Sequence, residues 1–228
     1  MSFRNKSTEK FGKEKTVTTA AFSEDFRLDL ERLFTWRRDV RHFRREPVAP
    51  ALLDDLLQAS TLAPSVGLSE PWRFVLVEDQ TRKSAVRKSF ETCNARALEG
   101  YDGEQAAGYA SLKLAGLDDA PHHVAVFCET TPDQGHGLGR ATMPETTTWS
   151  AVMAIHTFWL AATASGVGLG WVSILDPETV STILNAEPNW DLVAYLCVGY
   201  PTEQADTPEL ERMGWEKRNP ERRQWIRR

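Results

Sequence analysis

Cysteine is scarce: Cys93, Cys128 and Cys197 are the three in 228 residues. An odd number so widely spaced excludes a disulfide framework and fits free thiols in a reducing compartment. Cys128 and Cys197 each lie in an apolar run and read as core. None of the five histidines, His42, His122, His123, His136 and His156, makes a zinc-ligand spacing with a cysteine or another histidine, so no metal is expected. No apolar run approaches the length of a membrane span, and the amino terminus lacks the apolar core of a secretory signal. The cytoplasm is the expected location. An excess of positive charge is also missing. The net charge of −5 argues against general binding of nucleic acid or of an anionic membrane, while leaving room for a local basic pocket.

Several catalytic motifs are absent as well. After Gly166 and Gly168, the third glycine of G-x-G-x-x-G would have to stand at 171, which is Trp171. The order there is helix to strand, the reverse of the dinucleotide fingerprint. Gly135, Gly137 and Gly139 fail for the same reason, and no P-loop, nucleophile elbow or zinc-protease motif occurs.

What is present is the composition of an ordinary globular protein, 41% apolar and 26% charged, in a length suited to one core with extensions. Residues 1–20 are polar with no apolar period and read as a disordered tail; residues 21–228 read as one domain. Its first helix is expected to start near Ser23, with Glu24 and Asp25 in the first turn and Phe22, Phe26, Leu30, Leu33 and Phe34 at helical spacing. That helix delivers Arg37-Arg38-Asp39-Val40-Arg41. Guanidinium forks suit phosphate and other planar anions, and Arg38 and Arg41 are expected to keep Asp39 ionised. A solvated basic helix end is the other reading of the same residues.

Farther along, Pro50 opens a second helix with Leu52, Leu53, Leu56 and Leu57 on its buried face. A breaker-rich loop, Ala63-Pro64-Ser65-Val66-Gly67-Leu68-Ser69-Glu70-Pro71-Trp72, leads into a strand at 73–77. Residues 80–99 read as helix, and the glycine-punctuated stretch near 100–116 suits either a mobile cover over a site or a plain surface excursion. The run from His123 to Cys128 is a candidate central strand. An apolar helix from about Glu145 to Ser165 is expected to be buried in the core or in a subunit interface. The glycines at 166, 168 and 170 open a third strand and would let a planar ligand approach the backbone. A short helix follows Asp176, a fourth strand covers 192–200, and a polar extension runs from 201 with aromatics at Trp215 and a basic end.

Three stretches in order, Arg37-Arg38-Asp39-Val40-Arg41, the 63–67 loop with Pro71-Trp72-Arg73-Phe74, and Gly168-Leu169-Gly170-Trp171-Val172-Ser173, resemble the flavin-dependent nitroreductase superfamily. The resemblance runs from about Phe22 to Arg218 and includes Ser111-Leu112-Lys113-Leu114 and Gly214-Trp215. It implies a nitroreductase-like α+β fold: a central, mostly antiparallel sheet flanked by helices, in a homodimer with a C-terminal extension and FMN at the subunit interface. Carried onto this sequence, the cofactor contacts are Arg37, Arg38, Asp39, Val40, Arg41, Pro64, Ser65, Ser111, Leu169, Gly170 and Arg218. Asp39 stands where ordinary members usually have serine. Together with Ser173, it points to the branch that consumes reduced FMN with O2, giving 5,6-dimethylbenzimidazole, the lower ligand of vitamin B12, and erythrose 4-phosphate. Asp39 would move a proton or position the substrate, and Ser173 would position the flavin ring. No nicotinamide site is expected in that branch, so a separate flavin reductase would supply the reduced flavin. Two other readings stay open: an NAD(P)H-dependent FMN nitroreductase and a non-catalytic flavin-binding protein. Glu70, where the family more often has glutamine, and the stretch from Gly135 to Glu145 are departures from the pattern.

Overall fold

The structure, a computed structural model, describes residues 21–103 and 116–228. The expected N-terminal tail, Ser111 and most of the segment read as a cover lie outside them. Helix α1 spans Glu24–Trp36, and Ser23 caps it by accepting from Phe26 N at 3.1 Å. Helix α2, Pro50–Ser60, starts on its proline and buries Leu53 and Leu56. Strand β1, Trp72–Leu76, and helix α3, Gln80–Leu98, follow, with Asp79 accepting from Arg82 N at 2.8 Å at the helix start. The short α4, Gly116–Asp119, leads into β2, His122–Glu129, and then the long α5, Thr146–Ala164. Strand β3, Gly168–Val172, helix α6, Pro177–Leu184, and strand β4, Trp190–Gly199, complete the body. One turn of helix, α7, Glu209–Arg212, sits in the extension.

The four strands form one sheet in the order β1-β2-β4-β3, with every neighbouring pair antiparallel. Alternate residues of each strand face opposite ways, and both faces are covered. Val124, Val126, Leu196 and Leu169 pack with Leu53, Leu56, Ile155, Phe158 and Trp159 of α2 and α5. Ala125, Phe127, Tyr195 and Cys197 pack with Val86 of α3 and with Val180 and Leu184 of α6. The result is three layers, helices on either side of a sheet, and burying each large side chain in them contributes about 1.5–3 kcal/mol. Cys128 and Cys197 are in the core, as their apolar surroundings suggest.

Helix α5 packs across one face of the sheet and is apolar on more than one side. It buries Ala151, Ala154, Ile155 and Phe158, yet leaves Trp149 51% and Met153 45% exposed. Helix α1 buries nothing in the single chain. Leu30 and Leu33 are half-buried, but Phe22, Phe26 and Phe34 are each more than 40% exposed, so much of its apolar stripe is uncovered among the described residues. Among the described residues no helix is long and apolar enough to cross a membrane.

Candidate active site

Helix α1 stops because Arg37 turns to extended backbone, φ −63° and ψ 122°, while its N–H still closes on Leu33 O at 2.9 Å. The next residues lie alongside the outer edge of β3. Val40 N donates to Leu169 O at 2.8 Å, and Asp39 bridges Leu169 in the parallel sense. Trp159 of α5 fixes the segment from below, donating its Nε1 to Arg38 O at 3.0 Å. Farther on, Arg44 N donates to Tyr200 O at 2.8 Å and Thr202 N to His42 O at 3.1 Å, so the segment is also tied to the end of β4.

This explains two glycines differently from the sequence-based expectation. A Cβ on Gly170 would stand 2.1 Å from Val40 O, and one on Gly168 would stand 2.7 Å from Val40 Cγ2. What approaches the bare backbone of β3 is the Arg37–Arg41 segment. Leu169 and Gly170, expected as cofactor contacts, hold the residues that bracket the cleft.

Asp39 points its carboxylate back at the strand. Its Oδ1 accepts from Trp171 N at 2.8 Å, and its Oδ2 lies 3.7 Å from Arg41 Nε. Burial raises its pKa, outweighing the opposing pull of the Trp171 N–H and of Arg41, and Glu209 adds a further push upward. The expectation that Arg38 shares in keeping Asp39 ionised does not hold. The Arg38 guanidinium turns to the backbone, donating to Ala205 O at 3.0 Å, to Arg37 O at 2.6 Å, and also to Thr35 O and Asp206 O. Its own pKa is lowered, by burial first and then by the positive charges of Arg218 and Arg37. Arg37 lies over the Trp159 ring, 5.0 Å from its centroid. Arg37 and Arg218 thus bear on Arg38; none of these three forms a salt bridge among the described residues, although the charge of Asp206 partly offsets the repulsion at Arg38.

A cleft of about 230 Å³ opens beside this cluster, lined by Trp36, Arg38, Asp39 and Arg41 on one side and by Ala205, Glu209 and Arg212 on the other. The C-terminal extension is therefore its far wall, a role no local pattern announced. His42 Nε2 lies 3.8 Å from Glu209 Oε1 across the same opening. The extension continues to Trp215, which meets Tyr101 edge to face at 5.8 Å. Ser173 is exposed, one residue past the end of β3. About 7 Å of strand separates it from the Trp171 amide that holds Asp39.

The loop that carries Pro64 and Ser65 is anchored elsewhere on α5. Val66 N donates to Ser150 Oγ at 3.0 Å, whereas the arginine segment is held at Trp159. Those anchors are nine residues apart on one helix, about 14 Å of rise. Ser65 Oγ accepts from Glu70 N at 3.1 Å. The Glu70 carboxylate, unexplained in the sequence, faces outward to Gln134, whose Nε2 is 3.1 Å away.

The profile of the Nitroreductase family matches residues 34–200. The chain belongs to the nitroreductase family. The family match takes in Arg37–Arg41, Ser65 and the β3 glycines and stops just short of the wall beginning at Pro201. Two relatives named 5,6-dimethylbenzimidazole synthase match beyond it. That of Rhodospirillum rubrum is 53% identical, covering 89% of this chain and 96% of its own. That of Rhodobacter capsulatus is 48% identical over 207 residues, 91% of this chain and 99% of its own. A match of that length necessarily extends past residue 200 into the extension. Among solved nitroreductase folds, iodotyrosine deiodinase bound to FMN and 3-iodo-L-tyrosine superposes with a TM-score of 0.66. It is 26% identical, covering 77% of this chain and 91% of that one.

Proposed function

We propose that this nitroreductase-family protein is a 5,6-dimethylbenzimidazole synthase, which consumes reduced FMN and O2 and releases 5,6-dimethylbenzimidazole and erythrose 4-phosphate. The observation that carries this reading is Asp39: a residue lining the cleft, its carboxylate locked to the Trp171 amide, on the Arg-Arg-Asp-Val-Arg segment of a chain 53% identical to a protein of that name.

The residues present fit FMN. The positive charges of Arg37 and Arg218 both bear on Arg38 and outweigh the pull of the Asp206 carboxylate, and a phosphate would relieve that repulsion. Arg41 and Asp39 stand at the next positions along the segment and take the ribityl chain, with Leu169 and Gly170 holding the segment in place. Reduced flavin supplies the electrons that activate O2. The chain's own part is to bind, to orient and to move a proton. Burial makes Asp39 a stronger base than a solvated carboxylate, suited to accept a proton from the ribityl chain beside the ring. Ser173 has no histidine at hand to make it a nucleophile and serves to position the ring.

The flavin site is shared between two chains. The arginine segment and the Pro64–Ser65 loop are anchored about 14 Å apart on α5, and the uncovered apolar residues of α1 and α5 offer a face for a second copy. The Ser65 loop of one chain completes the site built on the arginines of the other.

The test is aerobic incubation with chemically reduced FMN and identification of the products. The expected outcome is dimethylbenzimidazole, with Asp39→Asn forming it at least about a hundredfold more slowly while still binding FMN. FMN recovered intact with NAD(P)H turnover would select a conventional reductase, and intact FMN without turnover a flavin-binding protein. Parent-like product formation by Asp39→Asn would remove the proton-transfer role.

A further inference from the structure

Two features that depart from the family pattern, Glu70 and the stretch after Gln134, meet each other in the structure. Gln134 Nε2 donates to Leu68 O at 2.5 Å and lies 3.1 Å from Glu70 Oε2. Below that pair the two backbones touch. A Cβ on Gly135 would come within 2.6 Å of Gly67 O, and one on Gly139 within 2.8 Å of Val66 Cγ2.

The loop held in this way is strained. Leu68 and Glu70 both carry side chains in the left-handed region, at φ 56° and 43°, beside Gly67 at 57°. L residues keep that conformation only where their surroundings impose it. Within the loop, the Glu70 N–H donates to Ser65 Oγ and the Val66 N–H to Ser150 Oγ. One hydrogen bond therefore connects the gripped residue to Ser65, and one connects the loop to α5.

We propose that Glu70 and Gln134 are positioning residues for the flavin: the 134–139 loop is a clamp that holds Glu70 in its strained conformation, and Glu70 sets Ser65 in the flavin site. This rests on the function proposed above. It also gives the extra carboxylate a use. Glu70 is directed to Gln134, where it accepts a hydrogen bond.

Four variants of the full chain test the clamp. Glu70→Gln keeps an acceptor for the Gln134 amide, Glu70→Ala and Gln134→Ala each remove one partner, and Gly135→Ala drives a methyl group against Gly67 O. Two readouts are needed: hydrogen exchange at the Val66 and Glu70 amides, and the affinity for oxidised FMN from quenching of its fluorescence. We expect Glu70→Ala and Gln134→Ala to speed exchange at those amides and to weaken FMN binding, each about tenfold, with exchange in β2 and β4 unchanged. Glu70→Gln should restore both readouts. Should Gly135→Ala fail to fold, the two alanine variants decide alone.

Unchanged exchange at residues 65–70 would overturn the clamp. So would faster exchange with parent-like FMN affinity, or a Glu70→Gln variant as weak as Glu70→Ala. A parent that binds no FMN would remove the function proposed above and the positioning role with it. That failure is distinguishable, because the exchange readout needs no flavin.

Discussion

At Gly170 the close approach of Val40 O leaves no space for a methyl group, and the obstacle is backbone. At Gly168 the obstacle is the Val40 side chain. These two clashes separate experimentally. We expect Gly170→Ala to cost at least about 2 kcal/mol in urea unfolding and to weaken FMN binding, with no relief from trimming Val40. Gly168→Ala should cost about 1–3 kcal/mol, and a second change, Val40→Ala, should recover part of that loss. Equal, additive losses in the two double variants would show that the segment does not lie on β3 as described. The glycines were visible in the sequence as a place where something comes close. What comes close was not, because the partner is a segment about 130 residues away, and local spacing carries no information on such contacts. Asp39 shows the same limit. Its importance was legible from its company of arginines, but its bond to the Trp171 amide, and the turning of Arg38 to other acceptors, depend on which chains the fold brings together.

At the level of elements, the strands and helices were legible because most carry a local period or a start signal of their own, as with the capping residues Ser23, Asp79 and Asp176 at three helix starts. Their pairing also has a measurable consequence. The central strands β2 and β4 face His123 against Tyr195, with Nδ1 and the phenolic oxygen 2.9 Å apart in a buried setting. Burial, and then the charge of Lys83, lower the His123 pKa to about 4. A histidine that binds its proton less tightly when folded contributes stability that is present above its unfolded pKa near 6.5 and is lost as pH falls toward and through 4. We expect unfolding free energy to drop by on the order of 3 kcal/mol across that window from this group. Urea titrations at pH 7 and pH 4 on the parent and on His123→Gln check this; an equal pH dependence in both would assign the loss to other groups.

At the scale of the whole molecule, the two stretches proposed to hold the flavin were both legible as sequence motifs, but the separation of their anchors along α5 was not. Motif order says nothing about which copy of the chain a residue serves. If the site is shared as proposed, a chain carrying Arg41→Ala and a chain with a disrupted Ser65 loop, each inactive alone, should regain activity when mixed and reassembled, since each mixed dimer contains one intact site. We expect up to about half of the parent activity per mixed dimer, measured as dimethylbenzimidazole formed. No recovery in verified mixed dimers would place both stretches in the same site of one chain.

The cleft's far wall has a consequence for the order of events during synthesis. Arg38 closes on Ala205, which follows it by 167 positions. A growing chain displays its arginines early and lacks the wall until Pro201 and the residues after it have been made, so the cleft closes only after all four strands exist. For the same reason, a nick or a premature stop after residue 200 would leave the three-layer body whole and its cleft open on one side.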